Sequence, residues 1–231
     1  MYYKRSTVIK VVFSLGNVPM LTKKNTYQII IKMKQWYKNR KKDHFYLKAK
    51  KNDVISRAYY KIEEIDKRFR IVKKNSRVLD IGCCPGGWVQ YVLNQKGSQT
   101  VVGIDILEMK NQFDENFVFY NYDLNEYENI RKEFSSKDYF FDLIISDIAP
   151  NTSGNQFLDQ TNSYNLSLLS VNFIDKFLSK GGNFLVKNFQ GEDTEKLFKH
   201  TKSLFNKCSY VKPEASDKSS KEIYILGLEK K

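Results

Sequence analysis

Arg77-Val-Leu-Asp-Ile-Gly-Cys-Cys-Pro-Gly-Gly-Trp88 decides the fold. Five residues, three of them apolar, run into a glycine and then a Pro/Gly turn. The pattern from Trp88 to Gln95 that follows has helical spacing. Strand, tight turn and helix together open a βαβ unit. Upstream, residues 52–69 carry apolar side chains near helical spacing, with Asn52 or Asp53 placed as N-cap. Downstream, strand-like runs at residues 100–106, 117–122, 141–147 and 183–189 alternate with helical patterns at 125–134, 163–178 and 193–205. Such alternation predicts an α/β, Rossmann-like fold: a mostly parallel seven-stranded sheet with helices on both faces. The last strand, residues 222–228, follows the polar stretch 216–221, so an antiparallel C-terminal strand is expected. Residues 150–162 read as a long irregular segment.

The 231 residues suit one sizeable domain with an appendage. Their composition, 41% hydrophobic and 28% charged, is that of a packed globular chain. The net charge of +13 points towards a polyanion, but it is unevenly spread. Residues 1–50 hold thirteen lysines and arginines against the single acid Asp43, a net of +12, which leaves 26 basic and 25 acidic side chains in residues 51–231. The expected organisation is therefore a basic extension (1–50) and a catalytic domain (51–231). The acid-free N-terminus reads either as an organellar transit peptide or as an RNA-binding arm, and residues 27–37 could form an amphipathic helix within it. A second basic cluster, nine basic side chains against four acids, occupies residues 51–77.

Several classes drop out. Cys83, Cys84 and Cys208 form neither a disulfide framework nor a C-x-x-C metal site. His44 and His200 are too few for a histidine-based metal centre or a Ser-His-Asp triad. No metal is expected. No apolar run approaches the ~18 residues that suggest a membrane span. Lys, Asp and Glu are left to carry any chemistry.

In a parallel α/β sheet, ligands bind beyond the carboxyl ends of the strands. Gly82, Gly86 and Gly87 stand where backbone must approach such a ligand, yet they do not spell G-x-G-x-x-G. Asp105, ending the second strand, is placed for ribose hydroxyls, and Asp123, ending the third, for an adenine amino group. With Asp80 nearby, the set suits a ligand carrying an ammonium, a ribose and an adenine but no pyrophosphate. S-adenosylmethionine fits that description better than NAD.

Four further motifs complete the pattern: Arg57-Ala-Tyr-Tyr-Lys-Ile62, Ser146-Asp-Ile-Ala-Pro-Asn151 with Ser153-Gly154, Leu185-Val-Lys-Asn-Phe-Gln-Gly-Glu192, and Lys221-Glu-Ile-Tyr-Ile225. Together with residues 80–88 they resemble the FtsJ (RrmJ) family of ribose 2′-O-methyltransferases over about residues 52–229. The resemblance implies a catalytic tetrad of Lys61, Asp147, Lys187 and Glu222, and S-adenosylmethionine contacts at Gly86, Trp88, Asp105, Asp123 and Asp147. It implies methylation of a uridine 2′-hydroxyl in large-subunit ribosomal RNA, free or in a ribosomal particle, by a monomer; transfer RNA and a non-catalytic assembly role are the alternatives. The 2′-hydroxyl excludes DNA as substrate. Residues 212–216, followed by Ser219 or Ser220, are similar to the mitochondrial large-subunit branch, which with the acid-free N-terminus leads to an expected mitochondrial or other organellar location, with the cytoplasm or nucleolus as the alternative. Lys187 is the candidate base. A lysine at its reference pKa of ~10.4 is mostly charged near neutrality, so it must act through a neutral fraction or a lowered pKa.

Overall fold

In a computed structural model, residues 44–97, 99–217 and 220–231 are described. The presequence or RNA-arm reading of residues 1–50, and the amphipathic helix within it, therefore lie almost wholly outside the described residues. The compact unit that holds the site is Lys48–Lys231.

Along the chain, helices α1 (His44–Lys51) and α2 (Ala58–Phe69) precede strand β1 (Arg77–Ile81) and helix α3 (Gly87–Leu93). Next come β2 (Thr100–Asp105), β3 (Phe117–Asn121), a 3-10 turn (Leu124–Glu126), α4 (Tyr127–Ser136) and β4 (Phe141–Ser146). The remainder is α5 (Gln156–Phe177), β5 (Leu178–Phe189), α6 (Thr194–Leu204), β6 (Phe205–Val211) and β7 (Glu222–Lys230). The seven strands form one sheet in the order β3-β2-β1-β4-β5-β7-β6. The first five are parallel, and β7 runs antiparallel to both β5 and β6. The expected fold class, including the antiparallel C-terminal strand, is what the chain adopts.

Successive residues of a strand face opposite sides of the sheet, and two cores follow from that alternation. Val78, Val101, Leu143, Ile145 and Leu185 pack against α2 and α3 through Ile62, Ile65, Val89 and Val92. Leu79, Ile81, Ile104, Ile144 and Val186 pack against α4, α5 and α6 through Phe134, Phe173, Ile174 and Leu197. Covered on both faces, the central strands are largely apolar, as parallel strands usually are, with Asp80 of β1 a buried exception.

Two helix starts and one strand stand out against the sequence expectation. Helix α2 begins at Ala58, not near residue 52: Asp53 adopts a left-handed φ of 53° and Arg57 is the N-cap. Asn52 instead donates to the Tyr60 hydroxyl, and Ile55 N–H donates to the Gln90 side chain. Helix α5 begins at Gln156, inside the stretch read as irregular, because the Asn155 side chain accepts from Phe157 and Leu158 N–H. Strand β6 is an addition. It lies at the sheet edge with Asn206, Lys207 and Tyr210 exposed, and it extends a chain segment read only as the end of a helix.

Over residues 163–170 the buried face of α5 is lined by Ser163, Ser167 and Ser170. Small hydroxyl side chains let the helix lie close to β5 and contact its backbone. The Ser167 hydroxyl stands 2.8 Å from the Lys187 carbonyl, and Phe189 N–H donates to Ser163 Oγ at 2.9 Å. That packing fixes the end of β5, from which Lys187 projects.

Candidate active site

Beyond β1 the chain turns through Gly82, whose N–H donates to the Ile104 carbonyl at 2.8 Å. Its φ is +77°, and a Cβ there would stand 2.8 Å from Ile148 Cα, so only glycine allows the β1 and β4 ends to meet. Asp105, ending β2, accepts from Cys84 N–H at 2.8 Å and from Leu107 N–H at 2.9 Å. Asp123, after β3, caps the 3-10 turn by accepting from Asn125 N–H. Around these groups lies a cavity of about 450 Å³, within the size range of small-molecule sites. Its walls include Gly82, Asp105, Asp123 and Asp147, with Ile106, Leu107 and Ile148 as apolar surface.

Asp80 lies behind this cavity, 1% exposed, and neither carboxylate oxygen has a hydrogen-bond partner among the described residues. Burial, and then the neighbouring Asp147 and Asp105 carboxylates, push its pKa well above the usual carboxylate range. Carboxylates at the ends of β3, β2 and β4, an orphaned fourth on β1 between β2 and β4, and apolar side chains in the cavity wall fit a ligand with a ribose, a base and a cationic centre. S-adenosylmethionine is such a ligand.

The other expected contacts are differently placed. Gly86 is the left-handed N-cap of α3, and Gly87 opens that helix. A Cβ on Gly87 would fall 2.2 Å from Ser56 Oγ, so this glycine serves the contact between α3 and the segment before α2. Trp88 is 3% exposed; its Nε1 donates to the Ala58 carbonyl at 2.8 Å and its ring packs 5.9 Å from that of Tyr224. None of the three forms the cavity wall. Cys83 Sγ, Cys84 Sγ and an Asp105 oxygen lie within 4.8 Å of one another. Burial holds both thiols above their ordinary pKa, Cys84 up to about 11, which favours protonated thiols over metal ligands.

At the β4 end of the cavity the four tetrad candidates converge. In the β4–β5 ladder Ser146 pairs with Val186, which brings Asp147 and Lys187 side by side one step further on. Lys187 Nζ lies 3.0 Å from Asp147 Oδ1 and also donates to the Asp147 carbonyl. Lys61, reaching in from α2, lies 2.8 Å from Glu222 Oε1 and 3.8 Å from Asp147 Oδ1. Lys61, Lys187 and Glu222 are all buried. Burial alone would raise the Asp147 pKa, but Lys187, Lys61 and the Tyr224 hydroxyl outweigh it and hold the carboxyl below its ordinary value.

Tyr224 was not singled out from sequence. It is fully buried, and its hydroxyl donates to Asp147 Oδ1 at 2.7 Å. Burial, then the Asp147 and Glu222 carboxylates, push its pKa far up, so the phenol remains a donor. The signal was available: Glu222 and Tyr224 are two residues apart on one strand, hence on one face.

Comparison with known proteins adds family to geometry. A protein of Methanococcus vannielii named ribosomal RNA large subunit methyltransferase E is 37% identical over 197 residues, covering 85% of this chain and 76% of that protein. A protein of the same name from Desulforapulum autotrophicum is 38% identical over 195 residues, covering 84% of this chain and 95% of that one. A crystal structure from Plasmodium falciparum, described as a ribosomal RNA methyltransferase, superposes with a TM-score of 0.67 at 31% identity, covering 76% of this chain and 97% of that one. These findings correct the mitochondrial expectation. The similarity that the motifs reflect is shared with archaeal and bacterial proteins and carries no organellar signature. Excess positive charge is common to presequences and RNA-binding arms, so charge does not separate the two. Residues 54–230 match the family model for FtsJ-like methyltransferases, and with relatives at this identity the chain belongs to that family.

Proposed function

We propose that the chain is an S-adenosylmethionine-dependent ribose 2′-O-methyltransferase of large-subunit ribosomal RNA. The observation that carries this reading is the meeting of Lys61, Asp147, Lys187 and Glu222 at the edge of a nucleoside-sized cavity to which Asp147 itself contributes. The names of the relatives support the substrate class.

S-adenosylmethionine, when bound, supplies an electrophilic methyl group on a sulfonium. Gly82, Asp105 and Asp123 would hold it in the cavity, and the Asp105 and Asp147 carboxylates would favour its positive charge. Lys187 takes the proton of the ribose hydroxyl in its neutral amine form, which gives the oxygen its nucleophilicity. Asp147 sets the direction of the Lys187 amine from two sides, through its carboxylate and its carbonyl. Lys61 is held chiefly by Glu222, at 2.8 Å against 3.8 Å to Asp147, so Asp147 is left mainly to Lys187. Position and proton acceptance are thus separate tasks of separate residues.

RNA reaches the site across the basic surface of residues 51–77, with the first fifty residues as a basic extension to the catalytic domain. Phosphate contacts of this kind weaken steeply with salt. The test supplies labelled S-adenosylmethionine with ribosomal RNA, ribosomal subunits and transfer RNA separately, and maps the label. Label on a large-subunit ribose is expected. Label on a base, or in transfer RNA alone, overturns the reading.

A further inference from the structure

Two large apolar side chains stand in solvent at the start of α5: Phe157 is 63% exposed and Leu158 49%. They are not on a loose loop. The Asn155 carboxamide accepts from both of their N–H groups, and the Asp159 carboxylate accepts from Ser153 N–H, Ser153 Oγ and Gly154 N–H. The turn is therefore tied down with Phe157 held outward. Beside Phe157 is a shallow crevice of about 20 Å³, shared with Tyr164, Asn188 and Phe189. One wall of the crevice reaches the catalytic cluster: Phe189 stands opposite Glu222 in the β5–β7 ladder, two residues past Lys187 on the same face of the strand.

We propose that Phe157 is a stacking platform for a nucleobase of the RNA substrate next to the nucleotide being methylated. This rests on the ribose-methylation reading above. The crevice is too small to admit a base, so a base must lie across the ring. Glu192 and Asp193 border the crevice and repel phosphate, so this side of the site faces bases while the sugar–phosphate chain lies elsewhere. Base–aromatic stacking needs a π face and little sequence preference, which a single outward phenylalanine supplies.

The experiment measures steady-state methyl transfer to ribosomal RNA and ribosomal subunits by the full chain and by F157A, F157L and F157W. F157A is expected to raise the RNA KM about fivefold, the low end of what stacking contributes, while kcat stays within about twofold and the KM for S-adenosylmethionine is unchanged. F157W is expected to restore the wild-type KM. F157L keeps apolar area but lacks the π face and is expected to behave like F157A. An F157L enzyme with wild-type KM overturns the proposal in favour of apolar contact with a protein of the particle, and an unchanged KM in F157A overturns it outright. Methylation by wild type with no effect of these variants leaves the functional reading standing. Absence of ribose methylation by wild type overturns both.

Discussion

Lys187 and Tyr224 stand directly opposite one another in the β5–β7 ladder, and both reach the same oxygen of Asp147. Cross-strand partners share a face and lie close together. The carboxylate is thus gripped by an ammonium at 3.0 Å and a phenol at 2.7 Å, donors whose spacing is set by backbone register.

Replacing Tyr224 by Phe keeps the ring beside Trp88 and deletes one donor. A hydrogen bond to a charged group contributes about 1.5–3 kcal/mol, so denaturant unfolding should show a loss of that order. Methyl transfer should fall by less than in Lys187→Ala. A larger fall would make the phenol a direct participant.

Lys187→Ala should abolish methyl transfer while leaving cofactor affinity and fold intact. Lys187→Arg is the sharper variant, because guanidinium retains the cation beside Asp147 yet does not deprotonate in proteins. Single-turnover assays should find both inactive. Substantial activity with Arg would show that charge, not proton acceptance, is what this position provides.

Glu222→Ala removes the 2.8 Å partner of buried Lys61, leaving Asp147 at 3.8 Å. Breaking a buried ion pair costs about 3–5 kcal/mol, and the residual contact puts the expected loss near the lower figure. The rate should fall less than in Lys187→Ala. The double variant Lys61→Met with Glu222→Leu should recover stability to within about 1 kcal/mol of wild type, as apolar replacements of buried pairs often do, and remain catalytically impaired. Recovery of both would remove Lys61 from the reaction.

Asp80 makes stability depend on pH. Its pKa is raised in the folded chain, by burial first and then by Asp147 and Asp105. Above the unfolded value of ~3.9 the native state therefore binds more protons than the unfolded state, and this group lowers stability as pH rises. Asp80→Asn cannot ionise, so its melting temperature relative to wild type should climb from pH 4 towards pH 8. A difference constant with pH would mean that Asp80 is not the group responsible.

Much of this was legible because motif spacing and apolar alternation report on strand ends, where the site lies. Asp105, Asp123, Asp147 and Lys187 all stand at or just past a strand, as expected of ligand-facing residues in a parallel sheet. What escaped was structure made by partners. Strand β6 exposes Asn206, Lys207 and Tyr210, and pairing with β7 rather than its own pattern makes it a strand. The first turn of α5 holds its apolar residues, Phe157 and Leu158, out in solvent, and the next buried positions are Ser163, Ser167 and Ser170, so apolar periodicity could not reveal where the helix starts. Trp88 reads from its motif as both a hydrophobic anchor and a cofactor neighbour, and its buried indole, bonded to α2, fills the first role.

The strand that carries Glu222 and Tyr224 is inserted between β5 and β6, although β6 precedes it in the chain. A folding intermediate that zips β6 onto β5 in chain order would therefore lack two members of the catalytic cluster and strand Lys61 without its carboxylate. Contacts joining such distant parts of a chain form late and slowly. Catalytic competence in this molecule is consequently a readout of completed assembly: a chain that transfers methyl groups has already placed its last strand between β5 and β6.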